Sequence, residues 1–117
     1  MNEIYDRYQI PLMIVENGLG AKDTLEGNTV HDPYRIAYLR EHIKAMSEAM
    51  EDGVEILGYM PWSAIDLIAL STGNIEKRYG FIYVDVDNEG RGSYRRICKD
   101  SFYWYKKVIA SNGESLQ

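Results

Sequence analysis

The chain has 117 residues, with 13 lysines and arginines against 18 aspartates and glutamates, a formal charge of -5. That length suits one domain with a real core, and the acidic balance argues against nucleic acid or an anionic membrane as a default partner. A single cysteine, Cys98, excludes an internal disulfide and suits a reducing compartment, and neither a signal peptide nor a membrane-spanning apolar run is evident.

In chain order, Ile4 and Tyr8 in "NEIYDRYQ" predict the end of a helix cut short by Pro11. The run Leu12-Met13-Ile14-Val15 is apolar on both faces, the pattern of a parallel strand covered on each side. It ends on Glu16-Asn17-Gly18. A strand that only packs has no use for a charge at its tip. Glu16 is either where a strand surfaces or a chemical group held at the rim of a rigid scaffold.

A turn-rich loop with three glycines follows, and Asp32-Pro33 then reads as an N-cap with proline at the first helical position. Ile36, Leu39, Ile43, Met46 and Met50 form an apolar stripe at helical spacing, stopped at Gly53. "VEILGYMPWS" is a second apolar strand, and "AIDLIALSTGNIEKRYG" fits no regular element. "FIYVDVDNEGRGSYR" predicts a short hairpin turning at Asn88-Glu89-Gly90. Asp100 or Ser101 caps a last helix, "FYWYKKVIASNG", ended by Gly113. The order strand, helix, strand, excursion, helix is the mark of a parallel sheet with helices outside. A closed eight-stranded barrel needs about 250 residues, so the chain is either a small open sheet or a piece of something larger.

Four blocks carry a resemblance: "IVENG", "DPYRIAYLREHI", "GYMPWSAIDLIALSTGNIEKRYGFIYVD" and "KDSFYWYKKVI". In order and spacing they resemble glycoside hydrolase family 1, and the "STGNIEKRYGFIYVD" segment resembles its 6-phospho-β-glucosidase branch. The resemblance implies an α/β chain forming the C-terminal two βα units of a (β/α)8 barrel, incomplete as an isolated chain. Residues 1-117 would then be one fragment of a single barrel domain.

It also implies roles. Glu16 becomes the nucleophile of a retaining hydrolase, which needs a second carboxyl about 5–5.5 Å away. Gly18 lets the loop leave the strand without crowding the sugar. Trp62 becomes a stacking platform under the ring, followed by a cis peptide at Trp62-Ser63. Where members acting on plain sugars carry a glutamate that grips the 4- and 6-hydroxyls, this chain has Ala69. A sugar 6-phosphate carries about -1.5 to -2 charge. A carboxylate about 4 Å away would oppose each unit of it by roughly 4 kcal/mol at an effective dielectric near 20. Ser71, Lys77 and Tyr79 match the phosphate-binding trio of that branch. Arg78 is expected to point elsewhere, because neighbours in an extended segment face opposite ways. The lack of a tryptophan between Leu67 and Thr72 leans to gluco over galacto substrates.

The partners implied are a phosphorylated β-glucoside and either the remainder of the barrel or a second copy, since the two strands would expose a face and two edges. No cofactor and no metal is implied, His31 and His42 being far from other ligand types. A cytoplasmic location follows from the resemblance. Asn2-Glu3 is not the family's acid/base motif, so the isolated chain is expected to lack useful activity. "YRRICK" reads as a solvated stretch, and Cys98 as packing. Two readings therefore stand beside each other: an enzyme segment, or a non-catalytic truncated product that binds or assembles only.

Overall fold

The computed structural model describes all 117 residues. Helix α1 (Asn2–Tyr8) ends where Gln9 turns into the left-handed region, and Pro11 leads into strand β1 (Leu12–Asn17). The turn-rich loop after β1 carries the two-residue strands β2 (Leu25–Glu26) and β3 (Thr29–Val30), a small antiparallel pair about Gly27. Helix α2 (Pro33–Glu51) leads to strand β4 (Ile56–Pro61). After the long excursion come β5 (Ile82–Val84), β6 (Arg96–Cys98) and helix α3 (Asp100–Ala110). β1 and β4 pair in parallel across α2, and β5 and β6 form the expected hairpin.

Helices α2 and α3 pack on one face of the parallel pair. Leu39 and Ile43 of α2, Phe81, and Trp104 and Val108 of α3 form the main core, joined by Tyr59 from β4 and Tyr105 from α3. The stripe on α2 holds through Met46, but in the last turn Met50 is exposed and Ala49 is buried, where the chain folds back and Val54 N–H bonds to the Ala49 carbonyl. The opposite face of the sheet is bare: Met13, Val15, Leu57 and Met60 are exposed. The strands are thus covered on one side only.

Two helix starts differ from expectation. Asp32 sits at the N-cap of α2, yet its carboxylate makes no capping bond. It accepts instead from Arg35 at 2.6 Å and from the backbone N–H and hydroxyl of Ser101 at 2.9 and 2.5 Å. The cap of α3 is Lys99, which makes Asp100 the first helical residue and frees its carboxylate to meet His31 at 2.7 Å.

Lys99, within the stretch read as solvated, is fully buried. Its ammonium lies 2.5 Å from Asp23 and 2.8 Å from Asp66. Arg35 binds Asp23 and Asp32 and donates to the carbonyl of Arg78 at 2.8 Å. The Arg78 guanidinium turns inward, meeting Asp66 at 3.1 Å and the carbonyls of Val84 and Val86 at 2.7 and 2.8 Å. Three carboxylates and three cations thus balance to zero inside the fold. Burial pushes the Asp23 carboxyl up, but Lys99 and Arg35 more than reverse it and leave it below the ordinary value.

Removing one partner of such a cluster strands the others as unpaired buried charge. Lys99→Ala should therefore lower stability by about 3–5 kcal/mol, read from chemical denaturation. Because the Asp23 pKa is depressed in the folded state, its contribution is present above the unfolded value of 3.8 and lost as pH falls through the lower folded value. Thermal melts should lose stability in that acid window, and Asp23→Asn should flatten that part of the profile. An Asp23→Asn profile as steep as that of the unmodified chain would contradict the pairing.

Candidate functional site

Alternation alone would put Glu16 on the same face as Leu12 and Ile14, toward the helices. The ladder breaks first. Ile14 pairs with Tyr59 and Asn17 with Pro61, so Val15 and Glu16 together oppose Met60. This bulge leaves both side chains exposed and returns Asn17 to the packed side. Asn17 is held there: the Tyr59 hydroxyl donates to its carbonyl oxygen at 2.7 Å, and its carbonyl on the main chain accepts from Trp62 N–H at 2.6 Å. Burial raises the Tyr59 phenol well above its usual range, so it remains a donor at any ordinary pH.

Glu16, Asn17, Gly18, Tyr38, Trp62 and Tyr79 line an open hollow of about 350 Å³. That is within the range of small-ligand pockets. Glu16 is the only carboxylate among those six residues. Gly18 has a packing reason as well: a Cβ there would stand 3.2 Å from the Trp62 Cβ and 3.6 Å from the Tyr79 ring. The peptide after Trp62 is not cis, since the chain has no cis bond. Ser63 instead takes a φ of 68°, and its hydroxyl donates to the Ile65 carbonyl. The sharp turn is made by a left-handed residue rather than by isomerisation.

Lys77 lines an adjoining hollow of about 280 Å³ with Gly20, Ala21, Lys22, Asn74, Glu76 and Asn88. Gly20 stands beside residues of both hollows: a Cβ there would lie 2.7 Å from the Tyr79 hydroxyl and 2.8 Å from the Lys77 Cε. The Lys77 ammonium stands 5.7 Å from the centre of the Tyr79 ring. Ala21 and Arg78 exchange two backbone bonds of 2.9 and 2.8 Å, which pins the segment to the loop after β1. Lys77 and Tyr79 then face the open side while Arg78 faces the ion cluster, as alternation predicts. Lys22 and Glu76 pair at 3.8 Å across the rim.

Trp62, Tyr79 and Glu16 are thus brought together, with Lys77 next to them. Ser71 is not. It lies exposed in the turn between Ala69 and Asn74, in neither hollow. Ala69 is buried at the foot of that turn. The residues that sequence reading missed are the supports: Asp23, Arg35, Asp66 and Lys99. One signal was available, the lone carboxylate of Asp66 inside the apolar run Ala64 to Leu70.

The family model described as glycosyl hydrolase family 1 matches residues 1–114. The chain belongs to glycosyl hydrolase family 1. It is 59% identical to the 6-phospho-beta-glucosidase AscB of Escherichia coli, over all of this chain and 25% of that protein. It is 60% identical to the aryl-phospho-beta-D-glucosidase BglA of Bacillus subtilis, over 99% of this chain and 25% of that protein. Among solved structures, a family 1 β-glucosidase from Thermotoga maritima superposes with a TM-score of 0.84 at 36% identity, covering 97% of this chain and 25% of that one. The chain therefore spans about a quarter of the length of the family 1 relatives it matches, and its α/β fold is that part of their architecture.

Two glycines separate site from scaffold. A Cβ on Gly80 would meet backbone of Asp66 and Ile65 at 2.5 and 2.6 Å, which cannot yield. Gly80→Ala should destabilise the chain by about 1–3 kcal/mol or more. On Gly20 the obstacles are the tips of two movable side chains. Gly20→Ala should leave the melting temperature nearly unchanged while shifting the Tyr79 ring and Lys77 side-chain resonances. Equal loss of stability in both variants would contradict this division.

Proposed function

We propose that this chain carries the nucleophile and the phosphate grip of a retaining 6-phospho-β-glucosidase site. The observation that carries the reading is the grouping of Glu16, Trp62 and Tyr79 around one hollow with Lys77 beside it. The names of the relatives in Escherichia coli and Bacillus subtilis support a phosphorylated β-glucoside as substrate.

In this reading the sugar ring lies on Trp62 with its anomeric carbon toward Glu16. The Glu16 carboxylate attacks that carbon, a carbon–oxygen bond to the enzyme forms, and the bond to the aglycone oxygen breaks as a second carboxylic acid protonates it. Water then attacks the glycosyl-enzyme, gives its proton to the second carboxylate, and releases Glu16. The bulge that exposes Glu16 serves this chemistry, because a side chain turned toward α2 could not reach a ligand.

At the other end Lys77 supplies a compact positive charge and Tyr79 a directional hydroxyl for the phosphate. Ser71 is the third donor, delivered by movement of the turn between Ala69 and Asn74. Ala69, small and uncharged, leaves the anion unopposed at the position where a carboxylate would repel it.

Glu16 has no carboxyl partner among the residues lining its hollow. The second acid must come from another segment, and the bare face of Met13, Val15, Leu57 and Met60 is where the remainder of a barrel, or failing that a second copy, would pack. This same observation favours the second reading for the 117 residues taken alone, namely that they bind or assemble without catalysing.

A chimera tests both. When this chain replaces the matching quarter of the Bacillus subtilis relative, the hybrid should hydrolyse an aryl β-glucoside 6-phosphate, and Glu16→Gln should abolish that turnover. Lys77→Ala removes a charge-assisted contact worth about 1.5–3 kcal/mol. It should cut kcat/KM for the phosphorylated substrate about 10- to 100-fold and leave the plain aryl glucoside within about threefold. Equal losses on both substrates would overturn the phosphate assignment. The 117-residue chain by itself should show no turnover, and steady hydrolysis by the pure chain would disprove the need for an outside acid.

A further inference from the structure

Lys77 does not sit on a helix or a strand of a sheet; the segment from Ala69 to Arg78 is irregular apart from the bridges at its ends and at Asn74. Irregular backbone must find its hydrogen-bond partners outside regular ladders. Two asparagines provide them here. The side-chain oxygen of Asn74 accepts from the N–H of Lys77 at 2.9 Å. The side-chain oxygen of Asn88, distant in sequence, accepts from the N–H groups of both Ile75 and Glu76 at 3.0 and 3.2 Å.

Asn88 is itself firmly presented. It lies in the turn between β5 and β6, where Asp87 accepts from the N–H groups of Glu89 and Arg91 at 3.0 and 2.9 Å and from the Arg91 guanidinium at 2.9 Å. The Arg91 N–H holds the Asp87 carboxyl below its usual range, as a carboxylate that is charged and accepting requires. Asn88 also lines the same hollow as Lys77. A hairpin with no residue lining the hollow of Glu16 and Trp62 therefore grips the two residues immediately before Lys77.

We propose that Asn88 is a positioning residue for the cationic end of the site, fixing the backbone at Ile75 and Glu76 so that Lys77 remains beside Tyr79 and its ammonium stays aimed at a sugar phosphate. This rests on the reading of Lys77 as a phosphate ligand. The hairpin tip then acts on selectivity for phosphorylated over plain sugars without touching the ring.

The test uses the 117-residue chain, titrated with glucose 6-phosphate and separately with glucose, and followed at the amide resonances of Lys77 and Tyr79. Asn88→Ala should weaken glucose 6-phosphate about tenfold, leave the response to glucose unchanged, and speed hydrogen exchange at the Ile75 and Glu76 amides. Asn88→Gln keeps a neutral accepting oxygen and should restore protection and affinity together. Unchanged glucose 6-phosphate affinity in a folded Asn88→Ala chain overturns the proposal, as does an equal loss for both sugars. If Asn88→Ala fails to fold, the neutral Asn88→Gln decides through exchange protection and affinity, and loss of affinity with protection intact is the overturning result. Lys77→Ala separates the two levels. No effect of Lys77→Ala on glucose 6-phosphate means that the phosphate reading has failed and the positioning role with it. A selective effect of Lys77→Ala without one from Asn88→Ala means that only the positioning role has failed.

Discussion

The buried cluster of Asp23, Asp32, Arg35, Asp66, Arg78 and Lys99 is the constraint on which the rest of this structure depends. Its charges cancel, and three of its five ion pairs cross between segments, Asp23 to Arg35, Asp23 to Lys99 and Asp66 to Lys99, so that the cluster ties together the loop after β1, the start of α2, the excursion after β4 and the start of α3. Isolated buried ions are too costly to survive, so the cluster exists only if all six arrive together. That condition makes it a specification of loop geometry more than a source of net stability. Apolar side chains of similar volume would hold the helices to the sheet equally well, but they would leave the loops free to choose among many conformations.

The loops are where the candidate chemistry lies. Arg35 holds the carbonyl of Arg78 while Ala21 pairs with the same residue's backbone, so one side of the segment is locked to the charged interior. The other side then has no choice but to present Lys77 and Tyr79 to the space beside Gly20. Strand β1 reaches that space from below, and its bulge turns Glu16 out at the point where Trp62 bonds to Asn17. Glu16, Trp62 and Lys77 thus come from three separate stretches, each next to a different local device: a bulge, a left-handed residue at Ser63, and an ion cluster. Gly20 of the Lys77 hollow lies against Tyr79 of the Glu16 hollow, an arrangement that suits a ligand that is a ring at one end and an anion at the other.

Much of this was legible in the sequence wherever a local pattern decided the outcome. The apolar run ending on Glu16, the stripe from Ile36 to Met46, the hairpin turn at Asn88 to Gly90 and the opposed faces of Lys77 and Arg78 all follow from periodicity and turn chemistry. The ion cluster was not legible, because its members lie in stretches with ordinary local readings. Asp32 looks like a helix cap, and Lys99 looks like one more charge in "YRRICK". Only the folded chain shows that both are buried and paired. Glu16 is the opposite case: its place at the end of a strand was plain, yet strict alternation would have turned it toward α2, and the bulge could not be foreseen from the residues. The turn carrying Ser71 lies outside the reach of either kind of reasoning, since its exposed residues answer to no packing.

The central question is whether a sugar phosphate can lie along the two neighbouring hollows. A crystal structure of the chain with glucose 6-phosphate decides this most directly. The account predicts the phosphate against the Lys77 ammonium and the Tyr79 hydroxyl, the ring over Trp62, and the anomeric carbon toward the Glu16 carboxylate. A phosphate bound at a different cation, with the hollow between Glu16 and Tyr79 left without sugar, would contradict it.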